Sequence, residues 1–510
     1  MTYNGDRRDQ QMRDIGKIRG RWIFICMLVT LLAMLAGCSK DGEDAGQGSN
    51  DKGGIKGLFT KKQEHASDTP WNHGTFAIME TEYGWYTHGS GQGYLSLRYY
   101  DKESGDTILV CNKPECQHQF DDQCVATYKG LSIVNSVMYE GAIYVLGYDG
   151  LPAYSEIDNG QSSTVNLSLY KVALDGSSID RVGTVIEVEN PKNQKVNRTT
   201  SFGLRYSYQS DNSFIIHKGV AYISFLVQLG DGMAGIRGGG LMKMDLATGK
   251  TEQLYEKDNM QKGLPAGLVG VGDYVYYFRS DGSAQKTGWY RYHITEGTTE
   301  QVEGAYVIMG DLGNGKQVLS LNAAGLHFSA PPPVFTEDRI YNICCSYDVD
   351  DVNGQKMIAI VASDAKDCMP IPEEAFETEI PFKGKTGYRQ ARVELYTVTY
   401  YDGMFLIADE EYAYLYDKAG KSLGKIMIPK EELEITEDDH DMIMEYKISD
   451  GKLYLIFTKE RPTVYKVFFC PLDDILQGKG AWTFAYEVQG RYTNEEIEEL
   501  NKLREEQGIQ

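Results

Sequence analysis

The chain has 510 residues and a net charge of −22, from 73 acidic and 51 basic side chains. That balance argues against nucleic acid as a partner and against a basic surface that grips anionic lipid. The length is ample for a large core, in one large or two medium domains.

The N-terminus is unlike the rest. Residues 1–21 carry Arg7, Arg8, Arg13, Lys17, Arg19 and Arg21 against Asp6, Asp9 and Asp14, and an apolar run from Trp22 to Ala36 follows, broken only by Thr30. This is a charged region and an apolar region of signal-peptide length, too short for a comfortable membrane-spanning helix. The run closes on Leu35-Ala36-Gly37-Cys38. Small residues before a cut suit a peptidase that threads extended backbone, and the Cys38 thiol is the nucleophile for thioether attachment of a diacylglyceryl group. The four residues resemble the bacterial lipobox, which implies a signal peptide over 1–37, lipidation of Cys38 and two-chain anchoring to a membrane. An uncleaved signal anchor is the alternative. Cleavage removes six bases and three acids, taking the net charge from −22 to −25. Residues 38–68, rich in Gly, Asp, Lys and Ser, read as a flexible tether.

From about Thr75 the pattern becomes β-like. Tyrosine is abundant, 36 residues against 17 Phe and 5 Trp, and aromatic and β-branched side chains suit half-buried strands. A turn residue followed by a short aromatic strand recurs at Gly141–Leu146, Gly219–Ser224, Asp273–Phe278, Asp338–Ile343, Asp402–Ile407 and Asp450–Ile456, with a weaker first copy at Tyr83–His88. A second strand and a polar connection containing glycine follow, as in Leu97–Gly105, Leu169–Gly176, Leu241–Gly249, Trp289–Gly297 and Tyr412–Gly420. A left-handed residue there is what a tight hairpin needs. Another short strand ends the unit, as in Thr251–Tyr255. Repeated antiparallel units without helical periodicity predict an all-β chain folded as a β-propeller, because a lone four-stranded unit exposes both faces and a closed ring covers them. Seven blades are counted over residues 69–490. Long insertions leave six or eight open, and paired β-sandwiches are the other architecture that such strands permit.

Two stretches break the pattern. Residues 369–390 read as an inserted loop. Residues 491–510 read as a short helix on the body, with a capping-box start at Thr493–Glu496 and an apolar stripe of Ile497, Leu500 and Leu503.

Of nine cysteines, Cys26 leaves with the leader and Cys38 takes the lipid; seven remain, an odd number that cannot all pair within one chain. Cys111, Cys116, His118 and Cys124 crowd into one segment directly after the predicted strand Thr107–Val110. Thiolate and imidazole are preferred zinc ligands, and four of them close a structural site with no open catalytic position. Cys116 and His118 share a face if the chain there is extended. The spacing is not that of a standard zinc finger, and a disulfide between two of the cysteines is the alternative. At this segment the body resembles secreted lipoproteins of Gram-positive anaerobes, which join a lipobox, a polar tether and such a cysteine segment to a propeller of the TolB-like or DUF5050-like kind. The resemblance implies a cell-surface propeller and brings no catalytic residues.

Cys344 and Cys345 lie in a predicted strand and read as buried thiols. Asp348–Gly354 fails the EF-hand register at Val352 and Ala359 and reads as a hairpin loop. The acidic run Glu431–Asp441 reads as a connection between blades. No G-x-S-x-G, H-E-x-x-H or P-loop occurs, and His217 and His293 read as packing or rim residues. The expected function is recognition of a ligand or protein partner by a lipid-anchored propeller on the outer face of the cytoplasmic membrane. The alternatives are a glycan-active hydrolase or lyase, using carboxylates at the channel mouth, and an envelope scaffold.

Overall fold

A computed structural model of the chain describes residues 79–91, 94–116, 124–126, 128, 131–149, 163–190, 214–228, 236–257, 265–279, 288–302, 309–313, 316–320, 333–348, 350–351, 354–382, 397–409, 411–433, 442–449, 451–460 and 463–489. The leader, the tether and the helix expected over 491–510 lie outside the described residues.

Among the described residues thirty strands form seven antiparallel sheets, each built from one continuous stretch of sequence. Blade 1 holds β1 (Met79–Glu80), β2 (Gly84–Gly91), β3 (Tyr94–Asp101) and β4 (Thr107–Leu109). Blade 2 holds β5 (Ser132–Tyr139), β6 (Ala142–Asp149), β7 (Ser163–Ala173) and β8 (Ile179–Asn190). In blade 3 are β9 (Phe214–His217), β10 (Val220–Gln228), β11 (Ile236–Asp245) and β12 (Thr251–Lys257). Blade 4 has β13 (Ala266–Val271), β14 (Tyr274–Arg279), β15 (Gly288–His293) and β16 (Thr299–Gln301). Blade 5 is larger: β17 (Met309–Gly313), β18 (Lys316–Ser320), β19 (Val334–Phe335), β20 (Arg339–Asp348), β21 (Met357–Asp364) and β22 (Phe376–Pro381). Blade 6 contains β23 (Thr397–Tyr401), β24 (Met404–Ala408), β25 (Tyr412–Asp417) and β26 (Ser422–Met427), and blade 7 contains β27 (Met442–Ser449), β28 (Lys452–Glu460), β29 (Thr463–Pro471) and β30 (Thr483–Gln489).

The ring follows from strand periodicity. Successive residues of a strand point to opposite faces, and here each face meets a different neighbour. In β24, Met404, Leu406 and Ala408 join a core with blade 7, while Phe405 and Ile407 join a core with blade 5. In β14, Val275 and Tyr277 face blade 3 while Tyr276 faces blade 5. Each pair of adjacent blades shares one such cluster, including blades 7 and 1. The middle strands therefore bury both faces and read as near-continuous apolar runs rather than as alternation.

Among the described residues no strand is exchanged where the ring closes: blade 1 takes its four strands from residues 79–109 and blade 7 from residues 442–489. Side chains join them instead. Trp85 and Tyr100 pack with Tyr454, Ile456, Val467 and Tyr486, Tyr100 stacks on Tyr486 with centroids 4.6 Å apart, and the Tyr100 hydroxyl donates to the Glu487 carbonyl at 2.8 Å. The Glu80 carboxylate, 6% exposed, accepts from Lys102 Nζ and Lys452 Nζ at 2.7 Å each and from the Tyr454 hydroxyl. Burial alone would raise the Glu80 carboxyl; the two ammonium groups and the hydroxyl outweigh it and hold the group low.

Two local findings depart from the sequence reading. Residues 369–390 are not simply a loop: Pro372–Glu374 form a 3₁₀ turn and Phe376–Pro381 is the outer strand of blade 5. Phe376 and Ile380 feed the core shared with blade 6, which fixes the strand although Pro370 and Pro372 interrupt the approach to it. An unforeseen helix, α1 (Leu472–Leu476), lies between β29 and β30 and buries Leu472 and Ile475. Elsewhere the expected turns are seen. The glycines ending the third-to-fourth-strand connections, Gly105, Gly176, Gly249, Gly297 and Gly420, all have positive φ; in blade 5 Cys368 takes that place, with φ of 63°.

Candidate functional site

Strand direction sorts the connections onto two ends. Within each four-stranded blade the first-to-second and third-to-fourth connections share one end, and the second-to-third connection and the start and finish of the blade share the other; in blade 5 the added hairpin β17–β18 runs in the opposite sense. The first set is mostly tight: Glu140-Gly141, Lys218-Gly219 and Asp402-Gly403 place both turn residues at positive φ, as two-residue hairpins prefer. The second set includes residues 150–162, 191–213, 258–264 and 383–396, between β6 and β7, β8 and β9, β12 and β13, and β22 and β23. Those segments lie outside the described residues, but their anchor points all belong to one end. Residue 79, where the chain enters β1, belongs there too.

The cysteine segment follows β4. Val110 N–H donates to the Leu97 carbonyl and Leu97 N–H donates to the Ala126 carbonyl, both at 3.0 Å. The ladder that β4 starts against β3 is thus resumed by Ala126; the chain leaves it at Cys111 and rejoins it at Cys124, an excursion of which residues 112–116 are described. The Sγ atoms of Cys111, Cys116 and Cys124 lie within 4.8 Å of one another. Sulfurs bound at ~2.3 Å to one tetrahedral zinc sit ~3.8 Å apart, so the spacing fits a shared metal; it fits equally one bridge with a third sulfur alongside. Cys111 and Cys116 are partly exposed and Cys124 is buried. His118, the fourth ligand expected from the sequence, lies outside the described residues.

The base of the excursion rests on blade 2. Gly176, at φ +69°, approaches so closely that an added Cβ would meet the Val110 carbonyl at 2.7 Å and Cys111 Cα at 2.8 Å. Val110 and Val125 join the core between blades 1 and 2. In the same junction His88 Nδ1 and Ser136 Oγ are 2.6 Å apart, from β2 and β5. Both are buried, and desolvation lowers His88 to about 4, keeping the ring neutral. With both side chains buried, the pair reads as a packing contact rather than a nucleophile and base.

Other residues singled out from sequence are dispersed. Cys345 lies in the core toward blade 6 and Cys344 on the opposite face of β20, and burial pushes both thiols up. His217 is buried with Nε2 2.9 Å from the Gly272 carbonyl, and His293 packs edge-on against Tyr274. Carboxylates suited to glycan chemistry need one member with a raised pKa. The opposite holds at several turns: backbone N–H groups of Ser104 and Lys366 hold Asp101 and Asp364 low, the hydroxyls of Ser177 and Thr248 do so for Asp175 and Asp245, and Arg339 does so for Glu374.

No protein-family model matches the chain, and no curated protein matches it in sequence. Among solved structures it is similar to an oligogalacturonate lyase in complex with manganese, at 8% identity over 80% of this chain and 92% of that one, with a TM-score of 0.40. It is also similar to an uncharacterized protein from Listeria monocytogenes EGD-e, at 9% identity over 83% and 96%, with a TM-score of 0.36, and to TolB from Acinetobacter baumannii, at 10% identity over 82% and 82%, with a TM-score of 0.25. Likeness at this level says nothing about activity; the seven-bladed propeller stands on the chain's own sheets and inter-blade cores.

Proposed function

We propose that this protein is a lipoprotein held on the outer face of the cytoplasmic membrane by lipid on Cys38, and that its propeller binds a ligand or protein partner there. The observation that carries the binding reading is the asymmetry of the two ends. Tight turns close most of one end, whereas the long connections are anchored at the other, and loops carried on a rigid scaffold are where recognition is usually placed. The lipobox-like Leu35–Cys38 supports the anchor, and a charge of −25 on the processed chain supports a body that stays off an anionic surface. Recognition would come from side chains on the connections 150–162, 191–213 and 383–396, with no covalent step.

The test is a glycan and peptide binding screen on the protein, repeated after each of these three connections is replaced by a short Gly-Ser segment. Binding that survives all three replacements would place recognition elsewhere. For the anchor, Cys38→Ala should move the protein from the membrane fraction to the medium; unchanged retention would sink the lipoprotein reading.

The cysteine cluster supports a second, structural role. Cys111, Cys116 and Cys124 would hold a zinc ion, with His118 as the fourth ligand, tying down the base of the excursion from blade 1. Metal analysis of the reduced protein, and of Cys116→Ser, tests this: zinc content should be about one per chain and should fall sharply in the variant.

A further inference from the structure

Resting on that metal reading, we infer that the cluster is an oxidation-sensitive clamp at the junction of blades 1 and 2. Reduced, the three sulfurs share a zinc ion. Oxidised, Cys111 and Cys116 bridge and the metal leaves.

The proximity of the sulfurs is the first reason. With all three Sγ atoms within 4.8 Å, the cluster is near enough for a bond of ~2.0 Å to form after a small local shift. Exposure is the second, and it selects the pair. Cys111 and Cys116 are partly exposed, whereas Cys124 is 0% exposed beside the inter-blade core. An oxidant arriving from solvent meets the first two and not the third. The chain between them already turns back, with Cys116 N–H donating to the Lys113 carbonyl at 3.0 Å.

The oxidant is a low-molecular-weight disulfide, and the step balances as thiol–disulfide exchange. One exposed thiolate attacks the small disulfide, forming a mixed disulfide and releasing one small thiolate. The second exposed thiolate attacks the protein sulfur of that mixed disulfide, forming the Cys111–Cys116 bond and releasing the other small thiolate. Two electrons pass from the cysteine pair to the oxidant. The zinc ion, having lost two thiolate ligands, dissociates. Because Cys111 sits against Gly176 of blade 2 and Cys124 is anchored beside Val125, the redox state sets whether both ends of the excursion are tied together at that junction or only its first turn is closed.

The full chain, extracted in detergent and reduced, is loaded with zinc and titrated with oxidised glutathione. Released zinc is followed with a colorimetric chelator, and thiols are mapped by alkylation and mass spectrometry. The expected result is release of about one zinc per chain as one Cys111–Cys116 bridge appears, with Cys124 still alkylated and both changes reversed by excess reductant. Zinc retained against a large excess of oxidant, or a bridge that includes Cys124, overturns the clamp and leaves the metal reading standing. A reduced chain that takes up no zinc overturns the metal reading and the clamp with it.

Discussion

Blade 1 is held to its two neighbours by different means. Toward blade 7 the junction joins residues 372 positions apart in sequence, Glu80 and Lys452, and uses a buried carboxylate between two lysines together with a cluster of aromatic rings. Toward blade 2 the chain itself continues across the junction, and the contact adds a sulfur cluster, a glycine fitted against backbone and a neutral His88–Ser136 pair. A junction that the chain already spans needs only to be tightened locally. One that closes the ring must offset a loop-closure cost, and charge and aromatic area do this at a junction that shares no strand among the described residues.

The largest difference should come from Glu80→Gln. It leaves Lys102 and Lys452 with no carboxylate between them at the closing junction, and loss of one partner from a mostly buried ion pair costs about 3–4 kcal/mol. A drop of that order in chemical denaturation is expected, and a change under about 1 kcal/mol would mean that the aromatic cluster alone closes the ring.

Acid should separate the two junctions. His88 has an ordinary value of 6.5 and is lowered to about 4 in the fold, so protons bind the unfolded chain more readily. Its contribution is full above 6.5 and is lost as pH falls toward 4, at ~1.4 kcal/mol per unit and about 3 kcal/mol in all. Glu80 is also held low, so its contribution is present above its unfolded value of 4.5 and is lost only at lower pH. Stability measured from pH 7.5 to 4 should therefore decline through the blade 1–2 junction first. His88→Gln should flatten that part of the curve; a slope unchanged in the variant would assign the acid sensitivity elsewhere.

Gly176→Ala should cost about 2 kcal/mol, because the new Cβ meets Val110 backbone at 2.7 Å as well as adopting a positive φ. Gly105→Ala is the control. That residue has a similar φ, +73°, and open space around it, so about 1 kcal/mol is expected. Equal thermal shifts for the two would show that the contact between the excursion and blade 2 carries no strain. The smallest effect belongs to Tyr100→Phe at the closing junction. It removes one hydrogen bond to the Glu487 carbonyl while keeping the ring, for about 1 kcal/mol, again by denaturation.

Much of the architecture was legible along the chain, and the reason is local. The aromatic segments at Ala142–Asp149, Tyr274–Arg279 and Met404–Ala408 are second strands of their blades, buried on both faces, so their composition alone marks them. The glycines ending the following turns announce themselves because the left-handed conformation admits few other residues. Cys111, Cys116 and Cys124 were visible as a group because they lie close in sequence. First strands were harder: β1 has two residues and β19 two, and neither has length enough for a pattern. The outer strand of blade 5 was misread because prolines precede it, although its burial against blade 6 decides its state.

Sequence by itself determined the β-propeller class, the repeat of its units, the turn chemistry and the cysteine group, since each depends on residues a few positions apart. Tertiary structure alone decided how the ring closes, that Glu80 is gripped by lysines from the first and last blades, that His88 is silenced by burial beside Ser136, and that the cysteine excursion rests on Gly176. Those contacts join residues tens to hundreds of positions apart, and burial, which sets both their strength and their protonation, is a property of the assembled ring and not of any segment within it.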